Sequence, residues 1–267
     1  MRVLSSLRAD HAGFDMSDDR FAPLIARAED EHFWYAARNR FIAARLARLG
    51  ARPGATVIDL GCGGGAVAAY LSRQGYRVTG VDGHEGLVRQ AARRAPAASF
   101  VVHDLGQGTS ALDLHDQDVA ALFDVIEHLE RPVDALVQAL DCVRPGGLVV
   151  GTVPALMLLW SHVDVQAGHH LRYERAGLRD VLRSVPGATV LEAVPFNRLL
   201  VPLLWAQRRL VTNKGDAVAT SEQNLRPPPA PVNLALDMAL RGEQALSPWL
   251  DPTPLPGASL WFALRKR

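Results

Sequence analysis

Two groups of residues have the types and spacing to do chemistry. The first is Asp59-Leu60-Gly61-Cys62-Gly63-Gly64-Gly65, with Asp82 following it. Closely spaced glycines let the chain turn tightly and leave bare backbone for a ligand to lie against. A helix opening directly after such a loop offers free N–H groups to a carboxylate or other anion. An acid about 20 residues after the first glycine, closing the next strand, accepts hydrogen bonds from both hydroxyls of a ribose. These features describe a seat for a nucleoside cofactor. The dinucleotide pattern G-x-G-x-x-G/A fits the loop only if Ala66 is used. The tighter spacing suits a nucleoside without a pyrophosphate, with a nicotinamide cofactor as the alternative. A plain tight turn would explain one or two glycines, but not four and a downstream acid.

The second group is His128, in Asp124-Val125-Ile126-Glu127-His128, and the pair His169-His170. Histidine titrates near neutral pH and can take a proton from an attacking hydroxyl. His128 and Glu127 read equally well as braces for a following helix. His162 and Asp164 stand near the histidine pair, but no spacing there fixes a ligand geometry, and no metal is expected.

These groups need elements to hold them. Apolar, β-branched runs at Thr56–Leu60, Tyr76–Val81, Ser99–His103, Val119–Phe123, Leu148–Val153, Ala188–Val194 and Leu260–Leu264 read as seven strands. Helical patterns at Ala66–Gln74, Glu85–Arg94, Pro132–Val143 and Glu174–Ser184 lie between them. Alternation of this kind gives parallel βαβ crossovers and a sheet covered on both faces. The expected fold is α/β: a Rossmann-like, doubly wound, mostly parallel seven-stranded sheet. A helical segment leads it (residues 1–50), the core occupies 51–195, an insertion spans 196–256, and the final strand lies in 257–267. The insertion holds the apolar stretch Leu199–Leu210, a polar stretch, the run Arg226-Pro227-Pro228-Pro229-Ala230-Pro231, expected to be extended or turn, and the amphipathic stretch Leu234–Leu246. Core packing is the first reading of Phe196–Leu210. A wall for an apolar substrate, a dimer face or a weak membrane-surface contact is the other.

Bulk properties narrow the function. The 267 residues are 48% hydrophobic and 21% charged, with a net charge of +1, so no global field draws the chain to nucleic acid. Two isolated cysteines, Cys62 and Cys142, suggest neither a disulfide framework nor a zinc site. Residues Met1–Asp19 lack a signal-peptide core, and no apolar run is long enough to span a bilayer, so a cytoplasmic location is expected.

The ordered features from Val57 to about Val194 resemble a class I S-adenosylmethionine (SAM)-dependent methyltransferase. The segment Phe123–Pro132 and the turn Arg144-Pro145-Gly146-Gly147 resemble the ubiquinone-biosynthesis O-methyltransferases. Val153-Pro154-Ala155, Leu159-Trp160-Ser161, Gly168–Tyr173 and Glu31–Arg38 resemble a bacterial subgroup of undefined substrate. The resemblance implies a SAM cofactor. Asp59, Gly61, Cys62 and Gly63 would lie under its methionine part, Asp82 with Gly83 at the ribose, and Asp104 with Leu105 at the adenine. Phe123 and Asp124 would border the sulfonium. It also implies that the leading helices form a lid. Arg38 would then pair with the SAM carboxylate through its guanidinium fork, or else form a surface ion pair.

Under this reading the catalytic candidates are His128, His169 and His170. Trp34, Tyr35 and Trp160 would line the acceptor pocket or simply pack. Arg172 and Tyr173 would shape that pocket or pin their loop. The acceptor would be a small or lipid-like molecule methylated on oxygen. Nitrogen or carbon transfer and a non-catalytic SAM-binding module stand as alternatives. No basic stripe or Asn/Asp-Pro-Pro-Tyr/Phe segment points to nucleic acid.

Overall fold

The computed structural model describes residues 22–110, 112–210 and 226–267. The stretch Met1–Asp19 and the polar part of the insertion, 211–225, lie outside the described residues. Seven strands form one sheet in the order β3-β2-β1-β4-β5-β7-β6. They are β1 (Thr56–Leu60), β2 (Arg77–Asp82), β3 (Ser99–Val102), β4 (Gln117–Phe123), β5 (Val143–Pro154), β6 (Ala188–Phe196) and β7 (Ser259–Lys266). The first five pair in parallel, and β7 inserts antiparallel between β5 and β6. Chain order reverses direction between β1 and β4. That is the switch point where a doubly wound sheet opens a crevice at its carboxyl ends.

The central strands are apolar on both sides because both faces are covered. Val57, Ile58 and Leu60 of β1 and Val119–Leu122 of β4 are buried. On one face, α5 (Pro132–Cys142) and α7 (Arg175–Arg183) bury Leu136, Leu140, Leu178 and Leu182. On the other, α2 (Phe33–Arg48) and α3 (Ala66–Arg73) bury Phe41, Ile42, Leu46 and Leu71 against Phe196 and Trp261. Helix α4 (Glu85–Arg94) packs beside β2 and β3. The expected leading helix is two: α1 (Ala22–Glu31) and α2, broken at His32, whose Nδ1 accepts from the Trp34 N–H at 3.1 Å.

Three expected boundaries move. The fifth strand starts before the turn Arg144–Gly147, because Val143 already pairs with Gln117. An irregularity between Gln117 and Val119 then absorbs the turn. The proline run is not extended throughout: Pro231 falls in the first turn of α9 (Ala230–Ala245), where its missing N–H costs nothing. A short helix, α6 (His162–Gln166), follows β5 where none was anticipated.

Residues Leu200–Leu210 of that stretch form helix α8. Leu200 packs with Phe33, Ala37 and Leu240, whereas Leu199, Leu203 and Trp205 are exposed. The insertion is fastened to α2 by polar contacts. Asn233 Oδ1 accepts from the Phe33 N–H at 3.0 Å, Gln244 donates to the Ala37 carbonyl at 2.8 Å, and Arg45 donates to Asp251 at 2.5 Å. No described helix is long and apolar enough to cross a membrane.

Candidate functional site

The carboxyl ends of β1 to β4 gather the residues of the glycine loop and the acids after it. Gly61 and Gly63 both take positive φ, 83° and 52°. A Cβ on Gly61 would strike Val125 at 2.7 Å, so that glycine lets the loop close on the end of β4. A Cβ on Gly63 would meet nothing within 4 Å, so this residue faces open space. Asp82 ends β2 and ties the loop down: its Oδ2 accepts from the Gly63 N–H and its Oδ1 from the His84 N–H, both at 2.9 Å. Each carboxylate oxygen can accept again.

Asp59 lies beneath the loop, 2% exposed. Burial pushes its carboxyl up to about 7, with Arg38 pulling it down and Asp82 adding to the rise. The Cys62 side chain packs against Gly80, and burial pushes its thiol up. At the end of β3, buried Asp104 accepts from the Gly106 N–H at 2.9 Å through Oδ1, and Gly83 lies against its backbone. Leu105 opens the short turn that follows and is half-buried. The Phe123 ring is buried in the core on the α2 face, which leaves its backbone at the crevice.

Asp124, one residue past β4, takes the left-handed conformation with φ 56°. Its N–H donates to the Thr152 carbonyl at 2.9 Å, and the Thr152 hydroxyl donates to its Oδ1 at 3.0 Å. These two contacts hold Asp124 in its left-handed conformation. Arg38 reaches down from α2 and donates through Nη1 to Asp124 Oδ2 at 2.5 Å, its guanidinium lying over the Tyr35 ring. Trp34 and Tyr35 are half-buried one turn earlier on the same helix. Arg94 of α4 donates to Glu29, to Asp30 and to the carbonyls of Ala26 and Gly64, so α1 is latched to the glycine loop.

The cradle fits the SAM implied by its residue types. Asp104 Oδ2 is buried and accepts nothing, and Arg38 Nε is buried and donates to nothing. An unmet acceptor at the adenine end matches an amino group. An unmet donor on α2 matches a carboxylate. Open backbone at Gly63 lies between them.

A second cluster adjoins Asp124. His128 and His169 meet edge to face, with ring centroids 4.8 Å apart. A carboxylate oxygen of Glu127 and one ring nitrogen from each histidine lie within 4.8 Å of one another. Glu127 is fully buried, and both its oxygens lack hydrogen-bond partners. Burial, then the nearby charge of Asp124, raises its carboxyl well above the usual range. Burial, then His169, lowers His128 to about 4. His170 is exposed, and its N–H donates to the Glu127 carbonyl at 2.8 Å.

Trp160 is half-buried at the start of the loop holding α6. Arg172 and Tyr173 are buried. Arg172 donates to Asp164 at 2.7 Å and to the Ala155 carbonyl at 3.2 Å, and the Tyr173 hydroxyl donates to the Ile126 carbonyl at 3.4 Å. These contacts pin their loop. Glu29, Arg94 and Arg208 were not among the sequence candidates. Their neighbours lie far away in the chain, and only the fold brings them together.

Comparison with known proteins identifies the family and the fold. A family model described as a methyltransferase domain matches residues 33–188. A ubiquinone biosynthesis O-methyltransferase of Citrobacter koseri is 33% identical over 153 residues, 55% of this chain and 62% of that protein, so the chain spans less than two thirds of its length. The protein of the same name from Escherichia coli (strain SMS-3-5 / SECEC) is 30% identical over 198 residues, 71% of this chain and 80% of the relative. The solved structure of the plantazolicin methyltransferase BpumL in complex with S-adenosylhomocysteine (SAH) superposes with a TM-score of 0.56. It is 12% identical and covers 99% of this chain and 93% of its own, a likeness of fold.

Proposed function

The chain belongs to the class I SAM-dependent methyltransferases, and from that premise we propose that it methylates a small or lipid-like molecule on oxygen. Bound SAM supplies a methyl group already activated on a sulfonium, which an acceptor displaces in line. The chain's part is to hold the donor, align the acceptor and exclude water. Gly63, Asp82 and Asp104 hold the nucleoside, and Arg38 holds the amino-acid end. Helices α1 and α2 act as the lid, and the insertion 196–256 as a cap over the acceptor.

The observation that carries the oxygen assignment is the polar cluster Glu127, His128 and His169 directly past Asp124. A hydroxyl acceptor needs a group to take its proton, and these side chains are the titratable groups in that position. The ubiquinone-type relatives support the same acceptor atom. The exposed apolar side chains Met157, Leu158, Leu199, Leu203 and Trp205 near the cap favour an apolar acceptor body.

Transfer of labelled methyl from SAM to a panel of phenols and hydroxylated lipids tests this reading. Labelled methyl ether is the expected product. Binding of SAM in calorimetry with transfer to none of the panel would contradict it.

A further inference from the structure

We propose that His169 is the residue that takes the acceptor's proton and that Asp164 is the positioning residue that aims it. This deepens the O-methylation reading and rests on it. Asp164, 0% exposed, holds His169 at two points. Its main-chain carbonyl accepts from the His169 N–H at 2.9 Å, and its Oδ1 lies 3.0 Å from His169 Nδ1.

A carboxylate only accepts hydrogen bonds, so Nδ1 carries a proton, and in the neutral ring the lone pair then lies on Nε2. Asp164 is itself fixed. Arg172 donates to Oδ1 at 2.7 Å, the Ser161 N–H donates to Oδ2 at 2.9 Å, and Arg208 lies 3.6 Å from Oδ2. Burial alone would raise this carboxyl, but the contacts with His169, Arg172 and Ser161 outweigh it and keep the group ionised. The other two histidines lack this support. Burial, then His169, lowers His128 to about 4, so it binds a proton weakly, and His170 is exposed. A base oriented by a third group is a recurrent arrangement for proton abstraction.

The charged and titratable groups around His169 are Asp164, with Arg172 and Arg208 behind it, His128 and Glu127 on the ring's other side, and His170 next in the chain. During transfer the acceptor oxygen bonds to the methyl carbon as the carbon–sulfur bond breaks, with its electron pair going to sulfur. The hydroxyl O–H bond breaks and the proton passes to Nε2, giving an imidazolium facing the Asp164 carboxylate.

Two readouts test this. The first is long-range proton–nitrogen NMR of histidine side chains on the full chain with SAH. We expect His169 as the Nδ1–H form, and its loss in Asp164→Asn, whose amide can donate to Nδ1 instead. The second is labelled-methyl transfer from SAM to catechol, with the phenol panel alongside, at several pH values. His169→Gln should lower kcat by about 10²- to 10⁴-fold with SAM affinity kept. Asp164→Asn should lower kcat and displace the acid limb of the pH–kcat profile. His169→Gly should regain turnover with added imidazole, which a folding defect would not show.

An Nε2–H form in wild type, or wild-type kcat in His169→Gln, overturns the assignment. Absence of transfer to any phenol or hydroxylated lipid by wild type sinks the O-methylation reading itself, whereas transfer that survives both His169 changes sinks only the dyad.

Discussion

The guanidinium of Arg38 on α2 donates to the carboxylate of Asp124 at the tip of β4. This contact joins the lid helices to the end of the strand where methyl transfer is proposed. It also leaves Arg38 Nε buried and without a partner. Arg38→Ala should weaken SAH binding roughly 10- to 100-fold, as expected for lost hydrogen bonds to a charged group. Arg38→Lys should recover little, because an ammonium lacks the fork and the flat contact with Tyr35. Calorimetric affinity of the lysine variant equal to wild type would remove Arg38 from the cofactor site.

Gly63 separates folding from binding. A methyl group there meets nothing in the protein, so Gly63→Ala should fold with a cost of about 1–2 kcal/mol for the left-handed backbone. SAH binding should fall at least about tenfold, because a ligand against the bare backbone meets the new methyl. Unfolding by urea and calorimetry on one preparation separate the two effects. Unchanged SAH affinity would contradict the cradle.

Glu127 makes stability fall toward alkaline pH. Its carboxyl is raised well above 4.5 in the folded chain, so above that pH the native state binds more protons than the unfolded state. Its contribution is complete below 4.5 and is lost as pH rises through the folded value. Glu127→Gln carries no such proton. It should match or exceed wild-type stability near pH 7 and lose less on going to pH 9, measured by urea midpoints. A variant with the wild-type slope would show that Glu127 is already ionised.

His128 acts on the acid side. Its folded value of about 4 lies below the ordinary 6.5, so the unfolded chain takes up a proton first as pH falls. Stability is lost between 6.5 and 4, by as much as about 3 kcal/mol from this one group. The difference between wild type and His128→Gln isolates it. The variant's unfolding midpoint should change less over that window, and an identical acid slope would refute a neutral, half-buried ring.

Where the chain itself carries periodic pattern, the fold was legible. Thr56–Leu60 and Glu85–Arg94 appear as expected, because a β-branched apolar run and a capped amphipathic helix each declare their own ends. Asp82 was legible in position for the same reason, since it closes β2, whereas Asp104, two residues past β3, was singled out only by the family resemblance. Residues joined only by tertiary contact were not. His128 and His169 sit in different loops, and nothing in either segment says that their rings touch. Asp164 could be read only as a neighbour of the histidine pair. Its role depends on α6 turning it inward against Arg172, and that short helix has too few residues to show a period. Arg172 and Tyr173 read equally as pocket residues or as loop pins in sequence, and only the fold shows the buried backbone contacts they make inside their loop.

The most direct measurement is a crystal structure of the full chain with SAH. The account expects the ribose hydroxyls within hydrogen-bonding distance of the Asp82 carboxylate, the adenine amino group at Asp104 Oδ2, and the ligand passing over Gly63. SAH located elsewhere, or an intact protein that leaves Asp82 and Asp104 without ligand contacts, would contradict it.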